Sequence, residues 1–262
     1  MDKLRIFKIG GKVVEEKARL STLLKDLAEL AGHKILVHGG GRSVTDMSKK
    51  LGIEVQMNEG RRITDKQTLE VVKMMLAGVA NKNVVSGLQG YGCNAIGLTG
   101  ADGNTIIASK RPPIDGLDYG YVGDVKKVNT SVLCHMLNIG MVPVFAAMTH
   151  DGKGQMLNTN ADTIAASLAI ACAHLFHVEL NYCFEFEGVL SNRQDLRSVI
   201  PVISRQNYHD LKASGIVDQG MIPKIDNAFK AVDAGVAKVR IMHAKDIALL
   251  QEGQKVGTII RN

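Results

Sequence analysis

Ile35-Leu-Val-His-Gly-Gly-Gly41, followed by Arg42-Ser-Val-Thr-Asp46, decides the fold. Apolar β-formers run into three consecutive glycines, and a polar, helix-compatible segment begins behind them. The pattern predicts a buried strand, a turn without side chains and a helix N-terminus. Glycines let backbone N–H groups approach an anion closely, and a helix start adds its positive dipole end. A second glycine turn, in Lys8-Ile-Gly-Gly11, closes the apolar run Leu4–Phe7. Two strand-to-glycine turns in one small sheet predict two loops facing one ligand. Lys8, at the entry to the first turn, points to a ligand that carries phosphate.

Outward from these turns, apolar runs alternate with helical periodicity. Leu4–Ile9 and Lys34–Val37 read as strands, and Glu15–Ala31 as a helix ending at Gly32. Ile53–Ile63 reads as a hairpin around Asn58-Glu59-Gly60, delivering Arg61 and Arg62 to the working edge. Asp65–Ala80, Thr130–Ile139, Asp162–Ala173, Gln206–Ser214 and Gly220–Ala234 read as helices. Asn94–Leu98, Thr105–Ala108, Tyr121–Val128, Met141–Ala146, Phe176–Phe186, Lys238–Met242 and Val256–Ile260 read as strands. This alternation predicts an α/β three-layer αβα sandwich around a mainly parallel open sheet, with ligands beyond the strands' C-terminal ends. Two lobes are expected, 1–174 and 175–262.

With 262 residues, the chain can hold one large α/β domain or two joined lobes. It has no Trp, so the core must rest on aliphatic side chains and Met. No apolar run approaches a membrane span and no secretory signal opens the chain, so a cytoplasmic protein is expected. Cys93, Cys134, Cys172 and Cys183 are scattered without a CxxC and read as reduced. Net charge is +6, but the basic residues form no run and base-stacking aromatics are scarce, which argues against nucleic acid. The same excess suits a site for phosphates and carboxylates.

Neither common nucleotide fingerprint is present. There is no GxxxxGKS or GxxxxGKT, and Val44 stands where GxGxxG would place its third glycine. Lys224, in Gly220-Met-Ile-Pro-Lys224, puts a cation at a helix start, against the dipole, where an anion must compensate it. Asn158, Asn160 and Asp162 read locally as a turn with a helix cap. Arg62 with Thr64 can grip a carboxylate. His174, His177 and Cys172 lack a full ligand set, so no metal site is expected there.

Together these pieces resemble the amino-acid kinase family, and within it the N-acetylglutamate branch. The motifs occur in the family's order across nearly the whole chain: Lys8–Gly11, Val37–Gly41, Asn58–Thr64, Gly97–Gly103, Asn158–Asp162 and Gly220–Lys224. Each is weak alone; the ordered set is specific. The resemblance implies transfer of the γ-phosphate of ATP, with Mg²⁺, to the side-chain carboxylate of N-acetyl-L-glutamate in arginine biosynthesis. It implies that Lys8 and Lys224 neutralise the transferring phosphoryl group while Asp162 stations them. It further implies that Gly40, Gly41, Arg62 and Asn158 hold the acyl amino acid. Gly10, Gly11, Glu185, Gly188 and Met221 would serve phosphate or nucleotide. The N-terminal lobe would bind the acyl amino acid and dimerise; the C-terminal lobe would bind ATP. A homodimer resembling arginine-insensitive members is expected, because Lys8 lies near the start.

Two departures stand out. Phe184-Glu185 replaces the family's usual hydroxyl-Asp pair, and Gln219 stands where a glycine is usual before Gly220. Two alternatives stay open: an N-succinyl or other N-acyl substrate, read by spare cations at Arg61, Lys110 and Arg111, and a ligand-sensing paralogue without catalysis.

Overall fold

A computed structural model describes residues 1–58, 60–192, 194–217 and 221–262. Glu59 of the expected hairpin turn, together with Gln219 and Gly220, lies outside the described residues. The chain runs β1 (Lys3–Ile9), α1 (Gly11–Glu15), α2 (Lys17–Glu29), β2 (His33–His38), α3 (Gly41–Lys50) and the hairpin β3 (Met57–Asn58) and β4 (Arg61–Arg62). Next come α4 (Lys66–Val72), a π-helical segment Lys73–Ala80, α5 (Asn81–Gly90), β5 (Ala95–Leu98), β6 (Ile106–Lys110), β7 (Gly123–Val128) and α6 (Thr130–Asn138). The order continues with β8 (Val142–Ala146), β9 (Met148–His150), β10 (Met156–Asn158), α7 (Ala161–Cys172) and β11 (His177–Phe184). It closes with β12 (Val202–Ser204), α8 (Arg205–Ala213), α9 (Ile222–Asp233), β13 (Lys238–His243) and β14 (Thr258–Arg261).

The main sheet has eight strands in the order β12-β14-β13-β11-β1-β2-β8-β5. From β13 to β5 the pairs are parallel. β14 runs against β13 and carries β12 parallel to itself, so the last two strands are reversed. β1 sits in the middle: β2, β8 and β5 build one side of it, and β11 onward builds the other. The expected 174/175 lobe boundary therefore falls in the connection between α7 and β11, yet the sheet crosses it without a break.

Side chains alternate across a strand, which decides what each one meets. Leu4, Ile6, Ile35, Val37, Leu180 and Tyr182 pack with Ile164 and Leu168 of α7 and Ile225 and Phe229 of α9. Phe7, Ile9, Leu36 and Cys183 pack with Leu23 and Leu24 of α2 and Val84 and Leu88 of α5. Burial on both faces explains why these strands read as continuous apolar runs. Lys8 continues the Leu4–Ile6 face and so points to the α7 side at the strand's C-terminal end.

Several sequence expectations are corrected. The helix expected at Glu15–Ala31 is broken at Glu16, whose backbone is extended (φ −94°, ψ 103°), and helical structure already begins at Gly11. The helix expected to end at Ala80 continues to Gly90. Gly87 lies where α5 meets α2: a Cβ there would stand 2.6 Å from Leu24 Cδ1. A second sheet, β10-β9-β6-β7, contains two three-residue strands too short to leave a period in the sequence. The same holds for β12. The four cysteines are free thiols, and burial pushes those of Cys172 and Cys183 up to about 12. Among the described residues no helix is long and apolar enough to cross a membrane.

Candidate active site

The two glycine turns meet back to back. A Cβ on Gly11 would lie 3.3 Å from Gly40 Cα and 3.4 Å from Gly40 N, so nothing larger than hydrogen fits without displacing backbone. Gly40 has φ +154°, and a Cβ on it would stand 2.8 Å from Leu76 Cδ2. Gly39 N–H donates to Ile9 O (3.3 Å), tying the loop after β2 to the end of β1. Helix α1 begins at Gly11 with Gly10 as its N-cap, and α3 begins at Gly41. Both helices start at one corner, with first-turn N–H groups that the helices themselves do not use. A polar cleft of about 420 Å³ opens beside it, lined by Lys12, Glu15, Arg42, Ser43, Asp46 and Glu185.

Lys8 and Asp162 meet across the α7 face. Lys8 Nζ stands 2.8 Å from Asp162 Oδ1, and both side chains are largely buried. That oxygen makes no aligned hydrogen bond among the described residues, so the contact is an ion pair with acceptor capacity left over. The local reading of Asn158–Asp162 as a cap is also correct, but for a neighbour: Asn160 Oδ1 accepts from the N–H groups of Asp162 (2.8 Å) and Thr163 (3.2 Å). Asn160 caps α7, and Asp162 is thereby released to face Lys8. Beneath the pair, burial and the charge of Asp162 raise the pKa of Tyr182, so its phenol stays protonated.

Lys224 lies in the first turn of α9, and its ammonium stands 5.6 Å from the centre of the Phe184 ring. Lys8 Nζ lies 5.2 Å from the centre of the same ring. The two lysines, more than two hundred residues apart in sequence, are therefore gathered at one place. Met221 is the N-cap of α9 and packs against the main core.

Arg62 reaches the glycine corner from the hairpin. Its Nη2 donates to Gly41 O (2.7 Å) and Thr45 Oγ1 (2.8 Å), while Nη1 is buried with no hydrogen-bond partner among the described residues. Burial lowers the pKa of this guanidinium, which nonetheless remains charged at any physiological pH. Asn158 Nδ2 donates to Thr64 Oγ1 (3.0 Å), bringing the end of β10 to the residue two beyond Arg62. Arg61 is exposed.

Glu185 and Gly188 make contacts of their own. The carboxylate of Glu185 pairs with Lys12 (2.9 Å) and approaches Arg19 (3.9 Å), at the polar cleft beside the glycine corner. Gly188 is buried in a turn packed on β14, where a Cβ would stand 2.8 Å from Thr258 Oγ1. Three contributors escaped the sequence reading. Glu15 Oε1 accepts from Ser43 N–H (2.8 Å) in the first turn of α3. His38 and Asn81 are buried, with Asn81 Nδ2 3.1 Å from His38 Nε2 and 2.9 Å from Val144 O. Since His38 Nε2 accepts, Nδ1 carries the proton and donates to Gly39 O (2.9 Å), which pins the triple-glycine turn. Burial lowers the His38 pKa to about 4.

The amino acid kinase family profile matches residues 3–243. This chain belongs to the amino acid kinase family. Among curated members of that family, it is 55% identical over 260 residues to the acetylglutamate kinase of Phocaeicola vulgatus, covering 99% of each chain. It is 52% identical over 259 residues to the acetylglutamate kinase of Cytophaga hutchinsonii, covering 98% of each. Among solved structures, the smu.665 protein of Streptococcus mutans UA159 superposes with a TM-score of 0.76 at 27% identity, over 98% of each chain.

Proposed function

We propose that this chain transfers the γ-phosphoryl group of ATP to the side-chain carboxylate of N-acetyl-L-glutamate, an arginine-biosynthetic reaction. The observation that carries this reading is the buried Lys8–Asp162 ion pair set beside two interlocked glycine turns. A carboxylate is already ionised at pH 7, so no general base is needed. A substrate carboxylate oxygen attacks Pγ, the bond from Pγ to the β,γ-bridging oxygen breaks, and ADP leaves with the electron pair. Catalysis then reduces to positioning and charge stabilisation. Lys8 and Lys224 supply positive charge, Asp162 orients Lys8, and N–H groups at Gly10, Gly11, Gly40 and Gly41 receive phosphoryl or carboxylate oxygens. Arg62 Nη1, orphaned among the described residues, suits the amino acid's α-carboxylate together with Asn158, which is tied to Thr64.

Mg²⁺ fits as part of the nucleotide. Among the described residues no group of three or more His, Cys, Asp or Glu could cage a cation. Mg²⁺ commonly binds through substrate phosphates with few protein carboxylates, where it neutralises phosphate charge. In this reading residues 1–174 bind the acyl amino acid and 175–262 bind ATP. A cytoplasmic homodimer is part of the same reading.

The acetyl group is favoured over succinyl because two of the three cations that would read a second carboxylate are already engaged. Lys110 pairs with Asp118 (3.0 Å), and Arg111 Nη2 pairs with Asp124 (2.6 Å). The reading is tested by ADP release from ATP and Mg²⁺ with N-acetyl- or N-succinyl-glutamate, and by hydroxamate trapping of the acyl phosphate. A clear acetyl preference with trapped hydroxamate is expected. Absence of turnover on either substrate refutes the reading.

A further inference from the structure

Phe184 lies at the meeting point of the two lysines, and it stands where the family usually has a hydroxyl. Strand register places it there. Tyr182 is the β11 partner of Lys8, and Phe184, two residues on, shares its face at the strand's C-terminal end. Lys8 Nζ and Lys224 Nζ lie 5.2 Å and 5.6 Å from the ring's centre, both within the range over which an ammonium is attracted to an aromatic quadrupole. The ring is itself held: it packs partly buried against the main core and stacks on Phe186 at 5.5 Å and 19°.

We propose that Phe184 is a positioning residue that holds Lys8 and Lys224 together over the transferring phosphoryl group by cation–π attraction to both ammonium groups. The proposal rests on the kinase reading above. The chemistry favours a ring at this position. Two like charges brought together repel, and something must offset that repulsion. Asp162 does so for Lys8. A carboxylate repels an incoming γ-phosphoryl group, whereas the π-face carries no net charge. It steadies the cations without cancelling the field that the phosphoryl group needs.

Fluorinated phenylalanines at position 184 nearly preserve shape while draining the ring's quadrupole. With mono-, di- and trifluorinated rings, kcat is expected to fall stepwise, reaching roughly a tenfold loss. KM for N-acetylglutamate should stay within about twofold. Phe184→Leu should show the full loss, and Phe184→Trp should retain most of the wild-type rate. A second readout needs no turnover. With ¹³Cε-labelled lysine, the Lys8 and Lys224 Hε signals, assigned with Lys8→Arg and Lys224→Arg, should be shifted upfield by the ring current and return in Phe184→Leu. A flat fluorine series, a loss confined to KM, or unshifted Hε signals would overturn the proposal. If the wild-type protein turns over no N-acylglutamate, the functional reading fails, and the NMR shifts still decide where the ring lies.

Discussion

Lys8 is a buried cation and Arg62 a half-buried one, and in the proposed function their surroundings assign them different tasks. Lys8 is held by Asp162, where the proposed transfer would move charge. Arg62 is tied through Nη2 to the glycine turn and keeps Nη1 in reserve. An interaction felt mainly in the transition state appears in kcat, and one felt equally in ground and transition states appears in KM. Lys8→Arg keeps the charge and the partner but replaces a compact ammonium by a planar fork. Its kcat should fall about a hundredfold with little change in KM, as steady-state kinetics will show. Arg62→Ala should instead raise KM for N-acetylglutamate about ten- to a hundredfold, the scale of a lost charged hydrogen bond, with kcat nearly preserved. Equal effects on kcat in both variants would contradict the division of roles.

At the scale of elements, the glycine turns were legible because glycine in series has few other uses. Their support was not. His38 reads as one more residue in an apolar run, and only the fold brings Asn81, from the far part of the long helix, to its Nε2. From its local sequence Asp162 was legible only as helix-start chemistry, and its place beside Lys8 was expected from the family resemblance alone, because that contact joins residues far apart in the chain. The hairpin was visible around Asn58 and Gly60, whereas strands of three residues carry no period to read. The His38 support has a measurable pH signature. In the folded protein its pKa is lowered to about 4 from an ordinary 6.5, so between these values the unfolded chain binds more protons. Stability is therefore full above pH 6.5 and is lost as pH falls toward 4, by about 3 kcal/mol in total from this group. Urea unfolding at pH 7, 6, 5 and 4.5 should show the decline, and His38→Gln should flatten it across that window. An unchanged slope in the variant would assign the decline to other groups.

For the whole molecule, β1 and β11 are the decisive neighbours. They belong to different halves of the chain, yet they pair in register from Lys3–His177 to Ile9–Cys183. One apolar core runs across them: Leu4, Ile6 and Ile164 from the first half are packed in the same cluster as Leu180, Tyr182, Ile225 and Phe229 from the second. Burial of apolar surface is worth roughly 25 cal/mol per Å², so separating the halves would expose that shared core and leave a central sheet edge unpaired. The Lys8–Asp162 ion pair lies wholly within the first half, since both residues precede residue 174, and only Lys224 comes from beyond it. The proposed division of labour between lobes therefore would not make them independent folding units. Unfolding should be one cooperative transition, with far-UV circular dichroism, tyrosine fluorescence and loss of ATP turnover coinciding on a single denaturant curve. A fragment of residues 175–262 should remain unfolded by itself, lacking β1 as the partner for β11. Two separated transitions, or a folded fragment with dispersed amide resonances, would show that the halves hold separate cores.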